Sequence, residues 1–342
     1  MRVAQVMAGA PEGGAELFFE RLSAALARAG DTVLPVIRRD AARARRMAAD
    51  GGVPIQLGFG GPLDLLTRPR LALALTRFAP RVVVAWMGRA ARFTARGEWV
   101  LAGRLGGFYD LRRFRRCEHL IGNTQGIVAW IRGQGWPAGR VHYLPNFVPD
   151  MAYVPPASRA ALGVPEGAPL VLALGRLHRN KAFDVLIRAV ARLPDAHAVI
   201  AGEGPERAAL TDLARAEGVA GRIHMPGWRE DTPALLAMAD VLACPSRHEP
   251  LGNVVIEGWS ARRPVVAGAA QGPAELIAPG RDGLLVPKDD APALADALAA
   301  VLRDAPAARA LAAAGRARFE SEFAEAPVLA SWRAFLATVE KP

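Results

Sequence analysis

Short apolar runs, mostly three to six residues long, alternate with amphipathic stretches along the whole chain. In the first half they fall at 2–7, 32–37, 53–57, 81–86, 119–122 and 140–144; in the second at 170–174, 198–201, 222–225, 241–243, 264–267 and 284–286. Helix-length segments such as 15–29, 183–193, 206–217 and 253–261 separate them. Buried runs this short, spaced by helices, predict strand–helix–strand units and parallel sheets covered on both faces. The rhythm pauses at the Pro-rich segment 153–157 and then restarts, which sets a boundary between a first domain over 1–155 and a second over 156–322. A last helix within 323–342 is expected to cross back to the first domain. The Ala-rich tract 291–314 reads as two helices broken near Pro306. The fold class is α/β, two doubly wound domains facing a central cleft. Ligands of open α/β sheets bind at the carboxyl ends of the strands, so the chemistry belongs in strand-to-helix loops.

The 342 residues suffice for two cores. No apolar run approaches the ~18 residues of a membrane-spanning helix. The opening MRVAQVMAGAP is broken by Gly and Pro too early for a signal peptide. Cys117 and Cys244 lie far apart, which excludes a disulfide scaffold or thiolate zinc site and suits a cytoplasmic location. The net charge of +10 is uneven: residues 1–155 carry 22 Arg, no Lys and 11 acidic residues, whereas residues 156–342 carry 21 basic and 22 acidic ones. An excess confined to one half points to an anionic partner: a phosphorylated substrate, an acidic membrane surface or nucleic acid. Arginines scattered over solvated faces are the plainer alternative.

Three loops stand out. Residues 9–16, Gly-Ala-Pro-Glu-Gly-Gly-Ala-Glu, join the first strand to the first helix, and Gly13 and Gly14 permit close backbone approach by an anion or sugar oxygen. The spacing fits neither a dinucleotide fingerprint nor a P-loop, and a tight structural turn would look the same. Residues 175–181, Gly-Arg-Leu-His-Arg-Asn-Lys, follow an apolar strand and precede a helix. Arg176, Lys181 and a helix N-terminus there form a clamp suited to a diphosphate. Residues 249–257 place Glu249 before a helix and Glu257 within it, with the amides of Gly252, Asn253 and Val254 between. Carboxylates accept from paired sugar hydroxyls, so the segment suits a ligand with polyols on both sides of an anion.

GRLHRNK followed by FDVLIRAV, then GEGPE at 202–206 and the E-x7-E at 249–257, resembles the retaining glycosyltransferases of family 4, which have the GT-B fold of two Rossmann-like domains. The opening GGAE and the segment VHYLPN at 141–146 are similar to that family's first domain. The resemblance implies a first domain that binds the acceptor and a second that binds a nucleotide sugar. It implies that Arg176 and Lys181 hold the donor diphosphate, Glu257 the ribose, and Glu249 the donor sugar beside the reacting carbon. Gly202, Gly204, Pro226, Gly227 and Trp228 would border the nucleotide. Two departures are visible. Ala182 stands where the family usually has Gly after the lysine. No histidine lies in the stretch 81–108, where many members carry one near the donor sugar; Gly106, Gly107 or Arg89 are the substitutes at hand.

Breaking a sugar–phosphate bond puts negative charge on the leaving diphosphate, which Arg176, Lys181 and the 252–254 amides would stabilise. No D-x-D occurs, so neither a metal nor any other cofactor is expected beyond the donor itself, with a UDP-hexose the implied choice. At helical spacing Arg39, Arg43 and Arg46 share a face, as do Arg112, Arg115 and Arg116, while Trp86, Trp99, Phe108 and Tyr109 lie between the clusters. Such clusters give reversible binding to an anionic membrane, and the aromatics add interfacial or sugar-stacking contacts. The expected acceptor is a phosphorylated glycolipid such as a lipopolysaccharide core, reached from the cytoplasmic face. Neither nucleic acid nor an obligatory protein partner is expected. A nucleotide-sugar epimerase of the same fold and a non-enzymatic basic binding protein are the alternatives.

Overall fold

The computed structural model describes residues 1–10, 13–60 and 64–339. It divides into two compact units, Met1–Phe147 together with the chain from Glu325 onward, and Val148–Ala324. In the first unit β1 (Arg2–Met7), β2 (Thr32–Arg38), β3 (Ile55–Leu57), β4 (Val82–Trp86), β5 (Val100–Leu105), β6 (His119–Gly122) and β7 (Val141–Tyr143) form one sheet in the order β3-β2-β1-β4-β5-β6-β7. Every pairing in it is parallel. Helices α1 (Gly14–Arg28), α2 (Ala41–Ala49), α3 (Thr67–Phe78), α4 (Met87–Phe93) and α5 (Gln125–Gly133) connect its strands. In the second unit β8 (Leu170–Leu174), β9 (His197–Ala201), β10 (Ile223–Gly227), β11 (Val241–Cys244), β12 (Val265–Gly268) and β13 (Leu284–Val286) run in the order β10-β9-β8-β11-β12-β13, again all parallel. Its helices are α6 (Phe183–Ala191), α7 (Arg207–Ala216), α8 (Thr232–Met238), α9 (Asn253–Ser260), α10 (Gln271–Leu276), α11 (Ala291–Arg303) and α12 (Ala305–Arg318). Both orders are doubly wound: the strand sequence reverses between β1 and β4, and between β8 and β11.

One strand escaped the hydrophobic pattern. β5 is interrupted by Gly103 and Arg104, yet all six of its residues are buried. A methyl at Gly103 would lie 2.6 Å from the Phe114 ring and 2.9 Å from Cys117 Sγ, so only glycine lets that layer close. Arg104 turns to the opposite face, where its guanidinium lies 4.7 Å from the Trp86 ring centre and donates to Asn146 Oδ1 at 2.6 Å. Burial lowers its pKa to about 9.

The domain boundary also moves, from residue 155 to the Phe147–Val148 junction. Val148 and Met151 pack into the second core with Leu170 and Trp259. The Ser260 hydroxyl donates to the Pro149 carbonyl at 2.6 Å and accepts from the Met151 amide at 3.0 Å. The Pro-rich segment is therefore anchored to the second unit. α11 and α12 meet at Asp304, whose carboxylate caps the second helix, and Pro306 occupies its first turn. The last helix, α13 (Glu325–Val339), joins the first unit, where Trp332 is fully buried and stacks on Trp86 with ring planes 9° apart.

Candidate functional site

In the second sheet the loops leaving β8 and β11 flank the reversal of strand order, and these two loops carry Arg176, Lys181 and Glu249. The Asn180 carbonyl accepts from the amides of Arg247 and His248 at 2.8 and 3.2 Å, tying one loop to the other. Arg247 clamps Asp184 with two hydrogen bonds of 2.8 and 2.7 Å and also bonds Asp289 and the Arg179 carbonyl. This frame brings the Lys181 ammonium onto the Glu249 carboxylate, a pair with side-chain exposures of 24% and 13%. Burial is the largest single influence and works to lower the lysine pKa, but the Glu249, Cys244 and Glu257 acids together outweigh it, so it stands above its ordinary value. Cys244, fully buried nearby, is pushed up to about 11 by burial and by Glu249. Arg176 is exposed and makes no hydrogen bond or ion pair among the described residues.

Ala182 begins α6 with φ 53°, in the left-handed region. That is the position at which glycine is conformationally at ease, and a methyl is the smallest departure from it. Gly252 opens α9 with φ 87°, so the first turn of that helix, Asn253 and Val254, follows directly on the Glu249 loop. Glu257 lies inside α9, partly buried. Gly272 on α10 donates its amide to the Glu249 carbonyl at 2.8 Å, and a methyl there would lie 2.3 Å from the Leu251 carbonyl oxygen.

Gly202 and Gly204 have a packing role. A methyl on Gly202 would sit 1.9 Å from the Gly175 carbonyl oxygen, and one on Gly204 2.3 Å from that of Leu177. The two loops touch backbone to backbone, with the Leu177 amide donating to Glu203 and the Gly202 amide to Gly227. Pro226 and Gly227 end β10, and Trp228 follows with 61% of its surface exposed.

In the first unit Pro11 and Glu12 lie outside the described residues. Gly9 and Gly13 leave space for the Glu16 carboxylate, which accepts from the Ala10 amide at 2.9 Å; a methyl at either would come within 2.3 Å of it. Gly14 begins α1. Met87, just after β4 at the strand-order reversal of this sheet, has φ 63°, and its Cε would lie 2.8 Å from a methyl on Gly9. No signal in the sequence marked it.

The basic clusters are built differently from their spacing. Asp40 caps α2, so Arg39 precedes the helix and shares no face with Arg43 and Arg46. Arg43 is 1% exposed, donating to Glu20 at 2.9 Å and to the Ala10 carbonyl at 2.8 Å, and Arg46 bonds the same Glu20. Arg43 is thus an internal brace for Ala10. Arg112 lies in a 3-10 turn, Leu111–Phe114, paired with Asp110; Arg115 ends it and Arg116 follows. These residues meet at one surface without forming an α-helical face. Trp86 and Trp99, expected to contact lipid or sugar, are buried in the core, whereas Phe108 and Arg89 are exposed.

The profile for glycosyl transferases group 1 matches residues 168–304, which contain both switch-point loops of the second unit. The lipopolysaccharide core biosynthesis glycosyltransferases LpsE and LpsD of Rhizobium meliloti are each 34% identical to this chain, the first over 96% of both chains and the second over 92% of both. Among solved structures, Anabaena HepE in complex with UDP superposes with a TM-score of 0.87 at 22% identity, covering 99% of this chain and 100% of its own. WaaG, a glycosyltransferase involved in lipopolysaccharide biosynthesis, gives 0.74 at 20% identity, covering 97% and 98%. The non-enzymatic alternative falls away: with a full-length relationship to LpsE and the GT-B fold, this chain belongs to the group 1 glycosyltransferases.

Proposed function

We propose that the enzyme moves a hexose from a UDP-sugar to a glycolipid acceptor in assembly of a lipopolysaccharide core, at the inner face of the cytoplasmic membrane. The relatives' names and the UDP bound to HepE support this reading. The observation that carries it is the partly buried Lys181–Glu249 pair at the strand-order reversal of the second sheet, with Arg176 unpaired among the described residues in the same loop.

Arg176 and Lys181 supply the cations for the donor diphosphate, and Glu249 accepts from the hydroxyls of the sugar next to the reacting carbon. Glu257, one helix turn further on, takes the ribose. In this reading the bond between the anomeric carbon and the phosphate oxygen breaks with UDP leaving. The acceptor hydroxyl attacks the same face, and its proton passes to the departing phosphate oxygen. Retention follows, and the charge on UDP is met by Arg176 and Lys181 without a metal.

Incubation with UDP-, GDP- and ADP-hexoses and a truncated lipopolysaccharide in EDTA tests the proposal. UDP release coupled to sugar incorporation supports it; transfer only from a GDP- or ADP-sugar, or only with added metal, overturns that part of it.

A further inference from the structure

Several arginines of the first unit are tied to carboxylates, as Arg43 and Arg46 are to Glu20 and Arg28 is to Glu325. In one region arginines gather and most form no such pair. Where the start of α3, the end of α4 and the turn after β5 meet, two depressions of about 510 and 220 Å³ share Arg68, Arg115 and Arg116 as walls. Arg96 lines the larger, and Arg92, Arg112 and Arg113 the smaller. Arg112 is paired with Asp110, which also faces Arg113, but no carboxylate lines either hollow and the other six guanidiniums form no salt bridge among the described residues.

Three of them are held by backbone carbonyls. The Arg92 carbonyl accepts from Arg68 at 3.4 Å and from Arg116 at 3.2 Å, and the Arg116 carbonyl accepts from Arg96 at 3.0 Å. Arg68 and Arg92 both lie within 6 Å of the Phe93 ring centre, at 5.7 and 5.8 Å. Gly88 leaves room for the Arg113 stem, which a methyl there would meet at 2.7 Å. Guanidiniums keep their protons at neutral pH, so gathering seven of them around two adjoining hollows, with only Asp110 paired among them, is unfavourable until an anion enters. Phosphate matches their planar donor fork. Two adjoining hollows suit two phosphates.

We propose that this basin is a binding site for a phosphorylated saccharide, separate from the donor loops of the second unit, and that it reads the phosphates of the acceptor. The inference rests on the proposed transfer to a glycolipid, but its test uses binding alone and so fails independently of turnover.

Glucose 1,6-bisphosphate, glucose 1-phosphate and glucose are titrated calorimetrically into the full chain saturated with UDP, which keeps them from the diphosphate clamp. Phosphatidylglycerol vesicles form a parallel arm. The bisphosphate should bind more tightly than the monophosphate, and glucose not at all. Arg92→Glu combined with Arg116→Glu should weaken the bisphosphate at least tenfold, whereas Arg77→Glu, an exposed charge reversal elsewhere on α3, should change it less than twofold. No bisphosphate binding by the wild type, equal weakening by Arg77→Glu, or binding to vesicles without binding to the bisphosphate would each overturn the proposal, the last in favour of a lipid surface.

Discussion

Arg176 and Lys181 share a loop and a proposed task, yet only one is bound to the protein. Lys181 is paired with Glu249 in a largely desolvated setting, while Arg176 has no partner among the described residues. A charge-assisted hydrogen bond contributes about 1.5–3 kcal/mol, so Arg176→Ala and Lys181→Ala should each weaken UDP-sugar binding about 10- to 150-fold. The two variants should part company without ligand. Removing one partner of a fully buried pair costs ~3–5 kcal/mol; with the exposures observed here, Lys181→Ala should lose about 1–2 kcal/mol and a few degrees in Tm. Arg176→Ala should stay within about 0.5 kcal/mol of the parent. Glu249→Gln frees the ammonium for the diphosphate, so UDP affinity should hold or rise while turnover falls. The lysine pKa is raised, so the pair's contribution is complete below the ordinary lysine value and is lost only as pH climbs through the raised one; urea unfolding at pH 8 therefore reads it in full. Equal Tm losses in Arg176→Ala and Lys181→Ala, with UDP affinity intact in both, would rule out these separate roles.

Other consequences are equally measurable. Glu257→Gln should weaken UDP binding with little effect on the rate at saturation; a pure rate defect contradicts its ribose role. Gly202→Ala forces a methyl onto the Gly175 carbonyl oxygen and should destabilise the second unit by about 1–3 kcal/mol, seen as a lower urea midpoint; an unchanged midpoint contradicts the close approach. Trp332→Ala empties a fully buried indole site against Trp86 and should cost about 3–5 kcal/mol of first-unit stability, read by urea unfolding. His142, 3.0 Å from His119, is lowered to about 4 by burial, then by His119 and Arg132. Its neutral form favours the fold, so this contribution is complete above about pH 6.5 and lost as pH falls toward 4, on the order of 1–2 kcal/mol given its partial exposure. His142→Phe should flatten that acid slope; an identical slope speaks against it.

The sequence made the periodicity of both sheets readable because parallel strands buried on two faces must be continuously apolar. β5 was hidden because a glycine and an arginine sit where apolar side chains are expected, each for a tertiary reason: Gly103 under Phe114, Arg104 against Trp86. Lys181 and Glu249 were legible as loop residues, since lysine is so scarce in this chain. The frame that joins them was not, because Arg247 and Asp184 lie 63 positions apart and meet only through the order of β8 and β11. The arginine clusters misled where helical spacing was assumed: Arg39 precedes a cap and Arg43 is internal. Arg68, Arg92 and Arg96 carry no local signal, and only the meeting of α3, α4 and the turn after β5 sets them beside Arg115 and Arg116.

The Arg176–Lys181 loop of the second unit is proposed to activate a UDP-sugar for retaining transfer. One experiment addresses it most directly: incubating an α-configured UDP-hexose with truncated lipopolysaccharide in EDTA and following UDP release and product anomer by NMR, for the parent and for Arg176→Ala/Lys181→Ala. The parent should release one UDP per α-linked sugar transferred, and the double variant almost none. A β-linked product, or undiminished transfer by the double variant, would contradict it.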